Sequence, residues 1–353
     1  MKNLKQQKAG MAPRNYDTAA GMSILGPRSR WTALFVFLFG LLCSICSICA
    51  AQPASQPQGD TLRLCFLSDT QEPMFFERVV LAYNQNAGAR ATIFEEILRL
   101  NPKGVIHCGD EISLGSSDGA WEEIDEFVRR LRGKGIEFSP APGNHEYLLT
   151  SKSGIARFKS RYPYAQLTGY SRRYGNIGVV LINSNFGELS DEEQTGQRRW
   201  FDQTLSEMDE DSAIDYVVVG GHHPPFTNSK IVGSSEEIRD QYLPAFYKST
   251  KSILWLSGHS HAFEHFRTNG KDFLVLGGSG GLQHPLSLGS KAEFHDVFSD
   301  TLEKRMFHFL SAASRGDTLE VDLKMLRPDF KDFETMPQLI FVRGSMRKPK
   351  VSE

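Results

Sequence analysis

Cysteine is scarce in this chain, with five in 353 residues. Three of the five, Cys43, Cys46 and Cys49, lie in one hydrophobic run, and none follows the small-residue pattern of a lipoprotein signal. The other two, Cys65 and Cys108, sit inside strand-like runs and read as buried apolar thiols rather than as a bridge. Positive charge is also short beyond the N-terminus. Residues 1–51 hold six basic residues against Asp17 alone, a balance of +5, so the rest, with 34 basic and 41 acidic residues, stands at −7. Such a domain lacks the basic face that a sequence-blind nucleic-acid binder needs, and no nucleic-acid partner is expected. Internal repeats are missing, as is a second domain for gripping a polymer.

Hydrophobic content of 40%, aromatics at 11% and charge at 23% fit a globular protein of one large or two modest domains. The N-terminal segment reads as an export signal or a membrane anchor. Arg28 and Arg30 precede an uncharged run from Trp31 to Ala51. That run ends on the small residues Ala50 and Ala51, followed by the polar, proline-containing stretch 52–59. Starting at Met22 would leave a short basic region ahead of it. The run is also long enough to span about 30 Å of hydrocarbon. Under either reading the C-terminal domain is expected outside the cytoplasm, exported to a periplasm or secreted. The expected division is 1–51 as signal or anchor, 52–60 as linker, 61–326 as the main domain and 327–353 as a C-terminal extension.

Strand-like and helix-like segments alternate along the main domain, which indicates a layered α/β architecture. Apolar spacing predicts helices over 90–100 and 121–131. Ser190-Asp191-Glu192-Glu193 opens a third helix with a capping box, and a fourth covers about 236–247, broken near Pro244. Gly175-Asn176, Asn269-Gly270 and Gly316-Asp317 mark turns within paired extended runs. The segment after 327 mixes proline, lysine and short apolar patches and reads as a peripheral extension or as partly disordered.

Five strand-like runs, 62–67, 104–108, 136–139, 216–219 and 253–256, each end at a polar motif. The motifs are Asp69-Thr70-Gln71, Gly109-Asp110-Glu111, Gly143-Asn144-His145-Glu146, Gly221-His222-His223-Pro224 and Gly258-His259-Ser260-His261. In an open α/β sheet the carboxyl ends of the strands line one edge, where ligands bind. The motifs therefore bring one glutamine, one asparagine, two aspartates and three histidines to one place. Aspartate can bridge two cations, while neutral imidazole and amide oxygen fill a coordination shell without adding charge. This mixed nitrogen and oxygen set suits manganese, iron or zinc better than calcium or magnesium.

The five motifs, in this order, resemble the calcineurin-like metallophosphoesterase family, over about residues 62–265. The resemblance implies a four-layer α/β/β/α sandwich with a dinuclear metal site at the strand ends. It implies that Asp69, Asp110 and His261 hold one divalent or trivalent metal. The second would be held by Asp110, Asn144, His222 and His259, with Asp110 bridging. His145 would be the general acid that protonates the leaving alkoxide, while a hydroxide shared by the metals attacks phosphorus. Gln71 departs from the family's usual histidine, and as a weaker or outer ligand it would loosen the first site or favour harder ions such as manganese. Ser113 stands where purple acid phosphatases have a tyrosine ligand, so an iron–tyrosinate centre is not expected.

The activity implied is hydrolysis of phosphate monoesters, on phosphorylated small molecules or phosphoproteins. A diesterase or nuclease on the same site, and an inactive binding protein of the same fold, are the alternatives. A membrane enters only if the N-terminal run is retained as an anchor. Other residues carry weaker signals. Strand alternation turns His223 away from the ligands, and His107 is expected to pack against a helix. His265, His284, His295 and His308 have no motif. Gly277–Gly281 around Ser279 could meet a phosphate through backbone N–H groups or form a plain turn, and Arg172, Arg173, Arg198 and Arg199 read as solvated surface groups, with a grip on a substrate phosphate as the alternative.

Overall fold

The computed structural model describes residues 61–344 other than 75, 76, 83, 299 and 300. The chain divides into units 1–55 and 56–353, and the first lies wholly outside the described residues, as do the expected signal or anchor and the 52–60 linker. Among the described residues no helix is long and apolar enough to cross a membrane.

Among the described residues twelve strands form two six-stranded sheets. They are β1 (Leu62–Leu67), β2 (Gly104–His107), β3 (Glu137–Pro140), β4 (Tyr170–Tyr174), β5 (Ile177–Leu181), β6 (Tyr216–Gly220), β7 (Ser252–Ser257), β8 (Phe263–Thr268), β9 (Lys271–Leu276), β10 (His308–Arg315), β11 (Thr318–Leu326) and β12 (Phe333–Val342). The first sheet runs β12-β11-β10-β1-β2-β3 and the second β4-β5-β6-β7-β9-β8. Each joins a parallel part, β1-β2-β3 or β5-β6-β7-β9, to antiparallel strands supplied by hairpins.

Alternation of side chains puts a core on both faces of the second sheet. Ile177, Val179 and Leu181 of β5, with Tyr216 and Val218 of β6, join the core that also holds β1, β2 and β10. Val180, Val217, Val219 and Trp255 face the other way, onto Phe201, Leu205, Ile238 and Phe246 of the covering helices. The first sheet is covered by the helices Asn86–Leu100 and Asp118–Gly133, through Ile93, Ile97, Trp121, Phe127 and Leu131. The layers are therefore helix, sheet, sheet, helix, as the family resemblance implied. Each fully buried Val, Leu, Ile or Phe contributes about 1.5–3 kcal/mol, so two such cores can carry local strain elsewhere.

The helix Asp191–Glu210 starts as its sequence dictates. The Ser190 hydroxyl accepts from the Glu193 N–H, and the Glu193 carboxylate accepts from the Ser190 N–H. The predicted break near Pro244 is present, between Glu236–Gln241 and Leu243–Lys248. The extension expected from residue 327 contributes β12, which pairs with β11 along its length at the sheet edge. Pro337 lies beside a register shift at Val321/Asp322, a position where a missing N–H is tolerated.

Candidate metal centre

Five carboxyl ends, those of β1, β2 and β3 in one sheet and β6 and β7 in the other, meet at one edge of the layered sheets. Asp69, Asp110 and His259 take positive φ of 58°, 57° and 65°, so the chain turns sharply as it leaves β1, β2 and β7. Such left-handed backbone costs of order 1–3 kcal/mol per residue and is characteristic of functional sites. Bonds between the sheets hold the edge together. The His259 N–H donates to the Asp69 carboxylate at 3.0 Å, and His222 Nδ1 donates to the Cys108 carbonyl at 3.0 Å. Gly143 and Gly258 allow this close approach, because a Cβ on either would lie 2.2 Å from a carboxylate oxygen of Asp110 or Asp69.

Two groups of lone pairs converge. Around His222, Nε2 lies 3.2 Å from Asp110 Oδ2 and 3.0 Å from Asn144 Oδ1. Its Nδ1 proton is already committed to a carbonyl, so a neutral ring turns an acceptor toward two acceptors. The same pattern holds at His261, whose Nδ1 donates to the Leu282 carbonyl at 2.8 Å while Nε2 lies 3.2 Å from Asp69 Oδ1. Burial disfavours charge on His222 and Asp110, but their mutual attraction outweighs it. The imidazole is held up at about 9, and Asp110 well below the usual carboxylate range. Burial opposes charge on His261 too, and the Asp69 carboxylate raises its pKa. A cation in place of those extra protons satisfies both groups, so the donor set fits metal binding.

Asp69, Asp110 and His261 form one compact group of ligand atoms, all within 4.8 Å of one another. His222, His223 and His259 form another by the same measure. The Gln71 amide is satisfied when its nitrogen donates to the carbonyls of Asp110 (3.1 Å) and Asp69 (3.2 Å), which sets its oxygen 3.1 Å from His261 Nε2. Gln71 thus turns a lone pair toward the same group as His261. His145 stands beside Asp110: its N–H donates to Asp110 Oδ1 at 2.8 Å, and Nδ1 donates to the Ser113 carbonyl at 2.7 Å. The ring is buried, with Nε2 3.8 Å from Asp110 Oδ2.

Several bracing residues had no assigned role in the sequence. Glu146 is fully buried, and its carboxylate accepts from the backbone N–H groups of Asp110 (3.1 Å), Glu111 (2.8 Å) and Gly143 (2.5 Å). Burial pushes its pKa up to about 7. His107 is buried between loops rather than simply packed against a helix: Nδ1 accepts from the Gly109 N–H, and Nε2 donates to the Thr70 hydroxyl, which donates to the Glu111 carbonyl. Burial holds the His107 pKa down at about 3, consistent with a neutral bridging ring. His284 stacks on His261 at 4.1 Å and accepts its N–H at Nδ1. The sequence signal for Glu146 was its place in the Gly-Asn-His-Glu motif; His284 had none.

His223 lies nearer the ligands than alternation implied, its ring 4.6 Å from that of His259 and 5.0 Å from that of His222. Its Nδ1 meets the Ser184 hydroxyl at 2.9 Å. The glycine-rich turn spends N–H groups inside the fold, with Gly281 donating to the Asp69 carbonyl and Ser279 to the Ser68 carbonyl. Arg172 packs over the rings of Tyr164 and Tyr170, Arg173 pairs with Asp211 and Arg198 bonds Gln241.

A family model described as calcineurin-like phosphoesterase matches residues 62–263. No curated protein matches the sequence. Among solved structures, the chain is similar to GAP50, the anchor in the inner membrane complex of Plasmodium, with a TM-score of 0.58 and 14% identity, covering 82% of this chain and 90% of that one. It is similar to a purple acid phosphatase from yellow lupin seeds, with a TM-score of 0.53 and 16% identity over 80% of this chain, and spans about half (54%) of that longer protein. A dimetal phosphatase from Danio rerio gives 0.52 and 14%, covering 78% of this chain and 98% of that one. These likenesses concern the fold, whereas the family match covers all five motifs up to the last two ligand histidines. The chain belongs to the calcineurin-like phosphoesterase family.

Proposed function

We propose that this protein is an exported phosphomonoesterase with two metals held at the strand ends. The observation that carries this reading is the pair of converging lone-pair groups that share Asp110, with His145 beside them. Asp69, Asp110 and His261 would hold one metal, with Gln71 as the weaker fourth group. Asp110, Asn144, His222 and His259 would hold the other. Bound metals would supply Lewis acidity and lower the pKa of water.

The chain's own residues do the rest. The Cys108 and Leu282 carbonyls fix the tautomers of His222 and His261, so that each offers Nε2. The Ser113 carbonyl does the same for His145, leaving Nε2 free to carry the proton for the departing alkoxide. The monoester preference rests on the acidic balance of the main domain. Export rests on the run Trp31–Ala51 and the basic residues before it. Comparing turnover of an aryl phosphate with that of a bis-aryl phosphate tests the preference: faster monoester hydrolysis supports it, and faster diester hydrolysis replaces it with the diesterase reading.

A further inference from the structure

A cavity of about 750 Å³ opens beside the ligand cluster and shares Asn144 and His223 with it. Its wall sets Tyr147, Leu148, Leu149 and Phe186 among serines, asparagines and glycines, together with Glu188 and Glu237, and no lysine or arginine is among the described residues that line it. Phe186 is held in place by stacking on Tyr242, with ring centres 5.5 Å apart. Leu149 is the informative member. It takes a φ of 63° and is 83% exposed. A leucine there bears left-handed strain, which costs roughly 1–2 kcal/mol, and gains no packing in return. Glycine would carry the same backbone without that cost. What leucine adds is apolar surface on the wall of a cavity that adjoins the metal ligands.

We propose that this cavity receives the organic part of the phosphoester, an aromatic or alkyl group bearing no further negative charge, and that Leu149 helps to select it. The inference rests on the phosphoesterase reading and names its substrate class. The phosphoryl group would sit at the metals, and the cavity would offer the remainder apolar contact and two carboxylates. A second phosphate or carboxylate would meet Glu188 and Glu237, with no lysine or arginine among the described lining residues to pair with it.

The test is calorimetric binding of non-hydrolysable phosphonates to the metal-loaded protein, run beside hydrolysis of an aryl phosphate. Phenylphosphonate should bind tighter than methylphosphonate by about tenfold or more, the scale on which an apolar pocket discriminates. It should also bind tighter than 4-carboxyphenylphosphonate, and the double variant E188Q/E237Q should narrow that second gap. L149G and L149A should each shrink the phenyl preference severalfold with metal content as in the wild type. Equal binding of phenyl- and methylphosphonate, or a preference untouched in both Leu149 variants, overturns the inference even if aryl phosphate is hydrolysed. Phenyl-selective binding with no hydrolysis of any ester overturns the phosphoesterase reading and leaves the cavity assignment standing. Phosphonates that do not bind overturn both.

Discussion

His261 Nε2 lies 3.2 Å from Asp69 Oδ1, acceptor facing acceptor, while the other ring nitrogen donates to the Leu282 carbonyl. A neutral histidine so oriented repels the carboxylate unless a cation lies between them. Removing metals should therefore load a proton onto this pair and its counterpart, His222 with Asp110. Metal binding to the stripped protein is expected to release protons at neutral pH, because metal ligands must be deprotonated. Calorimetry in buffers of different ionisation enthalpy measures that release, and a proton count of zero at pH 7 contradicts the arrangement.

Gln71 is the residue most open to exchange. With its amide nitrogen on two backbone carbonyls, its oxygen faces the His261 side of the cluster. Gln71→His should tighten the first metal and shift preference away from manganese toward zinc. Titration of each metal into the stripped variant checks this; unchanged affinity and preference would show that Gln71 lies outside the shell.

Glu146 ties the loop after β2 to the loop after β3 through three backbone N–H groups. Glu146→Ala orphans all three, and each buried unsatisfied donor costs about 1–3 kcal/mol. The variant should lose thermal stability and about 10–100-fold in metal affinity, as changes behind a metal shell do. A melting temperature and metal affinity equal to the wild type would show that the carboxylate is dispensable.

A pH effect follows from Glu264, which is buried and takes hydrogen bonds from the Thr227 hydroxyl, the Asn228 N–H and the Ser260 hydroxyl. Burial raises its pKa from the ordinary 4.5 to about 7. The folded protein then binds more protons than the unfolded chain between those values. Its contribution is fully present below pH 4.5 and is lost as pH rises through 7. Glu264→Gln should flatten the fall in stability between pH 4.5 and 7, read from denaturant midpoints. An unchanged slope would show that the group titrates normally.

Much of this was legible in the chain, for identifiable reasons. The core strands β1, β2, β6 and β7 are short apolar runs bounded by turn residues, so they read at once, as did the capping box at Ser190. Strand β12 did not, because Pro337 and its mixed polarity hide a strand whose partner residues are supplied by β11. In the site, residue identity pointed to the ligands, but position depends on backbone geometry. Alternation turned His223 away, yet β6 ends at Gly220, and beyond it the period of two no longer applies. His107 and His284 act through hydrogen bonds to segments distant in sequence, which no local pattern reports, and only its motif position marked Glu146. The Leu149 backbone likewise shows only in the folded chain.

The central claim is that metals at Asp69, Asp110 and their neighbours work with a proton held on His145. Its most direct measurement is the initial rate of aryl phosphate hydrolysis by the metal-stripped wild type and His145→Ala, with manganese, zinc or iron restored. Hydrolysis is expected only when metal is present, with a fall of at least ~10²-fold in kcat for His145→Ala at unchanged metal content. Hydrolysis that persists without metal, or a His145→Ala variant as fast as the wild type, would contradict that claim.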